Sequence, residues 1–101
     1  MLSIFKNLFG PKVDLSEKMR EGAIVLDVRT TGEYASGHVK GSKNIPLNQV
    51  SAKVQKIKSW NKPVITCCAS GMRSASAASM LKSQGIEAYN GGSWQSVNRL
   101  K

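Results

Sequence analysis

The stretch VITCCASGMRSASAASM, Val64–Met80, joins an apolar run to a small-residue helix through a short polar loop. Val64–Cys67 reads as a strand buried on both faces, as strands of parallel sheets are. Arg73–Gln84 reads as a helix, with Gly85 as its C-terminal stop. A second apolar run, Ala23–Val28, and a third short one, Ile86–Tyr89, flank this unit. Asp14 reads as the cap of a short helix that Gly22 stops, Asn48 as the N-cap of a helix carrying Val50, Val54 and Ile57, and Gly91-Gly92 as a turn into a final helix. Strands therefore alternate with helices, which predicts a parallel sheet covered on both sides. Ligands of such sheets bind beyond the carboxyl ends of the strands, and the Cys68 end of this strand is such a place.

The junction also has the layout of an activated cysteine. A thiolate attacks where a thiol hardly does, and a thiolate at a helix N-terminus falls to a pKa of roughly 3.5–7.5. Loop amides that converge on one cavity favour negative charge. Arg73 adds a permanent, forked cation, Gly71 permits a turn that a Cβ resists, and Ser70 and Ser74 offer hydroxyl donors. Two frames are open. Counted from Cys67, five residues precede Arg73, the Cys-x5-Arg spacing of tyrosine phosphatases. Counted from Cys68, four residues precede it, giving CxxGxRS. Against the phosphatase frame, Thr66 stands before Cys67 where His is usual, Ser70 where Gly is common, and Met72 where Gly often precedes the arginine.

In the Cys68 frame the chain resembles the rhodanese family. LDVRTTGEYASGHVKGSKNIPL, Leu26–Leu47, is similar to the family's N-terminal signature, with DVR, Glu-Tyr, GH-x-x-G and Ile-Pro in order. CCASGMRS is similar to its active-site loop, and YNGGSW, Tyr89–Trp94, to its closing motif. The resemblance implies a three-layer α/β fold with a central five-stranded parallel sheet. It implies Cys68 as nucleophile, with Ala69, Ser70, Gly71, Met72, Arg73 and Ser74 forming the loop that binds an anionic sulfur donor such as thiosulfate. A Cys68 persulfide would then pass its sulfur to cyanide or to a thiol such as thioredoxin or a low-molecular-weight thiol. A carrier or sensor module with little turnover, working with a protein partner, is the second reading. Gly71-Met72-Arg73 stands where mercaptopyruvate sulfurtransferases have Gly-Val-Thr, which argues against that donor.

The remaining singled-out residues read as structural. Asp27 and Arg29 sit at a strand end, where Asp27 can brace the loop and Arg29 can pair with Glu33. His38, the chain's one histidine, reads as a hydrogen-bonding support, and no metal or other cofactor is expected. Strand alternation turns Cys67 away from Cys68 as a small buried hydrophobe. Gly91, Gly92 and Trp94 shape the cleft wall, and Ala75–Ala78 allow close helix–sheet packing.

Length and composition bound the rest. At 101 residues the chain is expected to be a single domain over 13–101, preceded by an amphipathic segment over 1–12 carrying Ile4, Phe5, Leu8 and Phe9. Adjacent cysteines make a poor staple, which predicts free thiols in a reducing compartment, the cytoplasm. The net charge of +9 attracts small anions or an acidic protein. Scattered lysines, few aromatics and no nucleic-acid-binding signature argue against nucleic acid. No stable membrane insertion is expected, because no apolar run is long enough; a monomer is the default expectation for the fold.

Overall fold

The computed structural model describes residues 13–101, so the amphipathic segment expected over 1–12 lies outside the described residues. Asp14 caps the first helix, α1 (Leu15–Arg20), by accepting from the Glu17 amide, and Gly22 at φ +95° ends the turn that follows. The apolar run then forms β1 (Ile24–Asp27). Thr30 caps α2 (Thr31–Ala35) through a reciprocal box with Glu33. β2 (Lys43–Asn44) is followed by α3 (Leu47–Val50), a 3-10 turn (Ser51–Lys53) and α4 (Val54–Ser59). β3 (Val64–Cys68), α5 (Met72–Ser83), β4 (Ala88–Ser93) and α6 (Trp94–Asn98) complete the chain.

The sheet is wholly parallel, in the order β2-β1-β3-β4. Among the described residues it has four strands, not the five that the resemblance implies. The chain steps from β1 outward to β2 and then back across to β3. The switch point therefore lies between β1 and β3, where Asp27 stands opposite Cys67. Five consecutive buried residues in β3 fit a strand covered on both faces.

Side-chain alternation divides the core in two. Leu26, Val64 and Cys68 face Val50, Val54 and Ile57 of the α3–α4 segment and Ala77, Ala78 and Leu81 of α5. Val25, Ile65 and Cys67 face Val97 of α6, with Leu15 and Met19 of α1 packed alongside. The neighbouring cysteines thus lie on opposite faces of the sheet, as the alternation predicts.

Three local expectations change. Asn48, expected as an N-cap, lies inside α3, because the extended Pro46 caps that helix at φ −54° and ψ 146°. The third apolar run pairs only from Ala88, but it extends to Ser93. Gly91 and Gly92, expected as a turn, lie within that strand at a shift of register. Thr66 pairs with Asn90, and Cys68 with Ser93, so β4 carries one residue more than β3 there. A Cβ on Gly91 would sit 2.5 Å from Val97 Cγ2, 2.8 Å from Ile65 Cγ2 and 2.9 Å from the Thr66 carbonyl oxygen. Only glycine fits.

Candidate active site

The loop after β3 wraps around the Cys68 sulfur. The Gly71 amide donates to Sγ at 3.0 Å and the Ser74 amide at 3.4 Å, while Ser74 Oγ lies 3.4 Å away. Gly71 makes this possible twice over. It adopts φ +101°, and a Cβ there would press on Gly92 Cα at 3.2 Å. Cys68 itself has no exposed surface, so its sulfur forms the floor of the loop.

These contacts set its acidity. Burial pushes the Cys68 thiol up, but the Ser74 hydroxyl and the amides of Ser74, Gly71 and Ser70 together outweigh it and bring the pKa down to about 7. The neighbouring thiol goes the other way. Burial first, and then the Asp27 carboxylate, push Cys67 up to about 12. The fold therefore acidifies one of two adjacent cysteines and holds the other as a thiol near neutral pH.

A second layer of polar contacts holds the loop. Ser74 Oγ donates to Asn90 Oδ1 at 2.7 Å, and the Gly92 amide donates to the same oxygen at 3.0 Å. Asn90 Nδ2 donates to the Gly71 carbonyl at 3.1 Å. Thr66 Oγ1, fully buried, donates to the Ser74 carbonyl at 2.7 Å. Asn90 thus clasps Gly71 and Ser74 together from β4. Its place inside the quoted YNGGSW motif was the available signal, but nothing local ties it to the cysteine.

Arg73 does not reach over the sulfur in the way its position suggests. Its Nη1 and Nη2 donate to Glu33 Oε1 at 2.8 Å and Oε2 at 3.0 Å, a bidentate pair that bridges α5 and α2. Arg73 first, then the Thr30 amide, hold the Glu33 carboxyl down to about 2. The pairing of Arg29 with Glu33 is therefore corrected. Arg29 donates to Asp27 instead, at 2.9 Å from Nε and 2.6 Å from Nη2, and reaches only the main-chain carbonyl of Glu33. Nor does the Asp27 carboxylate touch the cysteine loop. Its partner Arg29 also donates to the Gly37 carbonyl and lies 5.1 Å from the Trp94 ring, so the pair fastens the α2 segment to the sheet.

His38 is exposed and stands apart from the loop contacts. Its ring stacks on Tyr34 with centroids 3.7 Å apart, and Nδ1 donates to the Tyr34 carbonyl at 2.7 Å. Met72, 78% exposed, projects from the start of α5. A groove of about 380 Å³ shares Arg73 with the loop and is walled by Val28, Pro46 and Leu47, with Thr30 and Asn48 at its edge. Among the described residues no three His, Cys, Asp or Glu side chains converge on a common point, and no helix is long and apolar enough to cross a membrane.

A parallel α/β domain with an amide-cradled, acidified cysteine at its switch point defines a class of proteins suited to thiolate group transfer. More narrowly, the chain belongs to the rhodanese-like domain family, whose pattern matches residues 12–97. It is 32% identical to thiosulfate sulfurtransferase GlpE of Haemophilus influenzae over 70% of this chain and 67% of that protein. It is 35% identical to the putative sulfur carrier protein YrkF of Bacillus subtilis over 78% of this chain. It spans less than two thirds of the length of several curated relatives it matches, and 40% of YrkF. The human single-domain sulfurtransferase TSTD1 superposes with a TM-score of 0.70 at 25% identity, covering 91% of this chain and 98% of that one.

Proposed function

We propose that the chain is a sulfurtransferase that carries sulfane sulfur on Cys68. The observation that carries this reading is the Cys68 sulfur held by converging loop donors at a pKa of about 7, beside a Cys67 thiol pushed up to about 12. The Cys68 thiolate attacks the outer sulfur of thiosulfate. A Cys68 S–S bond forms, the S–S bond of thiosulfate breaks, and sulfite leaves with the bonding pair. An acceptor thiolate then attacks the terminal sulfur of the persulfide, takes it, and returns the Cys68 thiolate. Charge balances in each step, and neither needs an outside oxidant or reductant. Donors from Gly71, Ser70 and Ser74 stabilise the anion at each stage. The resemblance implies the same chemistry, since a six-residue loop such as Cys68–Arg73 is the sulfurtransferase length in the rhodanese family.

Steady-state sulfite release from thiosulfate, with cyanide or a low-molecular-weight thiol as acceptor, tests turnover. Activity lost in Cys68→Ser and retained in Cys67→Ser is the expected result; retained activity in Cys68→Ser contradicts the assignment. The second reading, a persulfide carrier with slow turnover, draws support from two observations. Cys68 has no exposed surface, and Arg73 is already committed to Glu33. Slow turnover on thiosulfate combined with fast loading from a protein persulfide would favour the carrier.

A further inference from the structure

Between Tyr34 and Ile86 the sequence holds no aspartate or glutamate, but seven lysines and one arginine. The fold turns this linear bias into a spatial one. α3, α4 and α5, which come wholly from this span, cover one face of the sheet. Glu17 of α1 and its caps Asp14 and Glu21 belong to the opposite face, and Glu87 is held by Lys18 at 3.1 Å and by the Tyr89 hydroxyl at 2.6 Å. Lys53, Lys56 and Lys58 project from the turn and helix of the α4 segment, and Lys82 from the end of α5, all exposed. Lys43 covers Trp60 at 5.5 Å from the ring centroid, and at the foot of the same face Lys58 and Lys62 line a groove of about 250 Å³ that has Glu87 at its edge. The ion pairs of the described residues engage Lys18, Arg29 and Arg73, and none of these six lysines.

The rest of the face has the character of a protein-binding surface. The outward residues of α5 include Ala75, Ser76 and Ser79, a low, flat strip that permits close approach. At the upper end stands Met72, 78% exposed, directly after the loop that holds Cys68. An exposed methionine in a charged rim fits the composition of protein interfaces. α5 has 12 residues and so runs about 18 Å from Met72 to the lysine end, within the span of an ordinary interface. A nucleic-acid surface would present aromatic platforms, yet Trp60 packs against the core beneath Lys43.

We propose that the α3–α5 face docks an acidic protein, placing its thiol or persulfide at the Cys68 loop; the sulfur exchange rests on the function proposed above, while the docking does not. The lysines raise the encounter rate, and the small-residue strip and Met72 provide the contact.

A fluorescein-labelled peptide of alternating glutamate and serine, with one central cysteine, is a suitable probe. Its binding is measured by anisotropy at low salt, and its contact surface is mapped by amide shift changes in isotopically labelled protein. The expected map centres on α4 and the outward strip of α5. The triple variant K53E/K56E/K58E should lose binding by about tenfold or more, whereas R20E/R99E/K101E, with the same change in net charge, should lose less than about twofold. Shifts centred on α1 or α6, or equal losses in the two variants, overturn the proposal. So does an oligouridine that binds the same face more tightly than the peptide at equal salt. Mapping on the wild-type protein keeps the test decisive if a variant fails to fold. Binding needs no sulfur transfer, so failure to dock and failure to form a persulfide are separate results.

Discussion

Replacing Ser74 with alanine isolates the part of the cradle that the side chain supplies. Ser74 is fully buried and its hydroxyl has one proton to place. With Cys68 as a thiol, the S–H donates to Ser74 Oγ and the hydroxyl donates to Asn90 Oδ1, 2.7 Å away. With Cys68 as a thiolate, the hydroxyl turns to the sulfur, and Asn90 Oδ1 keeps the Gly92 amide at 3.0 Å. No polar atom is orphaned in either state. A hydrogen bond to a charged group contributes about 1.5–3 kcal/mol, and a 3.4 Å contact to sulfur belongs at the low end. At about 1.4 kcal/mol per pKa unit, Ser74→Ala should raise Cys68 by about one unit, from about 7 to about 8. At pH 7 the thiolate share then falls from about half to about a tenth, and reaction slows about fivefold. Thiolate ultraviolet absorbance against pH measures the shift directly, and the pH profile of persulfide formation follows it. The deficit should vanish above pH 9, where both proteins are ionised. An unchanged pKa, or a deficit undiminished at high pH, refutes the reasoning.

Three further outcomes follow from other contacts. Glu33→Gln removes the carboxylate that occupies Arg73, so the KM for thiosulfate should fall several-fold, while stability changes little because the pair is partly exposed; an unchanged or higher KM contradicts this. Gly91→Ala forces a methyl against Ile65, Val97 and the Thr66 carbonyl, and should cost about 3 kcal/mol or more in denaturant unfolding; a loss under about 1 kcal/mol means that the bulge relaxes freely. The two cysteines should bend the stability curve in opposite directions. Cys68 sits at about 7 in the folded chain against an ordinary 9.0, so the unfolded chain binds more protons between these values and stability rises with pH there. Cys67 sits at about 12, so the folded chain binds more protons above pH 9 and stability falls. Cys68→Ser should flatten the rise and Cys67→Ser the fall, in unfolding free energies measured across that range.

The features legible in the sequence are those whose cause is local. Asp14 caps its helix within three residues, and Gly22 and Gly85 stop theirs by adopting positive φ. Period-two alternation separates Cys67 from Cys68 without further information. The missed features depend on partners far along the chain. Arg73 meets Glu33 across 40 residues, a pairing that no spacing announces. Asn90 clasps the loop only because the extra residue in β4 brings Gly92 against Gly71. The Asn48 cap failed for a different reason: Pro46 is already extended and takes the cap position two residues earlier. Charge, finally, was legible as an excess but not as a face. Only the packing of α3, α4 and α5 on one side of the sheet gathers the lysines.

Intact mass spectrometry of the reduced protein after thiosulfate challenge reads the Cys68 persulfide itself. One added sulfur is expected, carried by wild type and by Cys67→Ser, located on Cys68 by peptide mapping, and removed by an acceptor thiol. A folded wild-type protein that takes up no sulfur, or one that carries it on Cys67, excludes Cys68 as the sulfur-bearing residue.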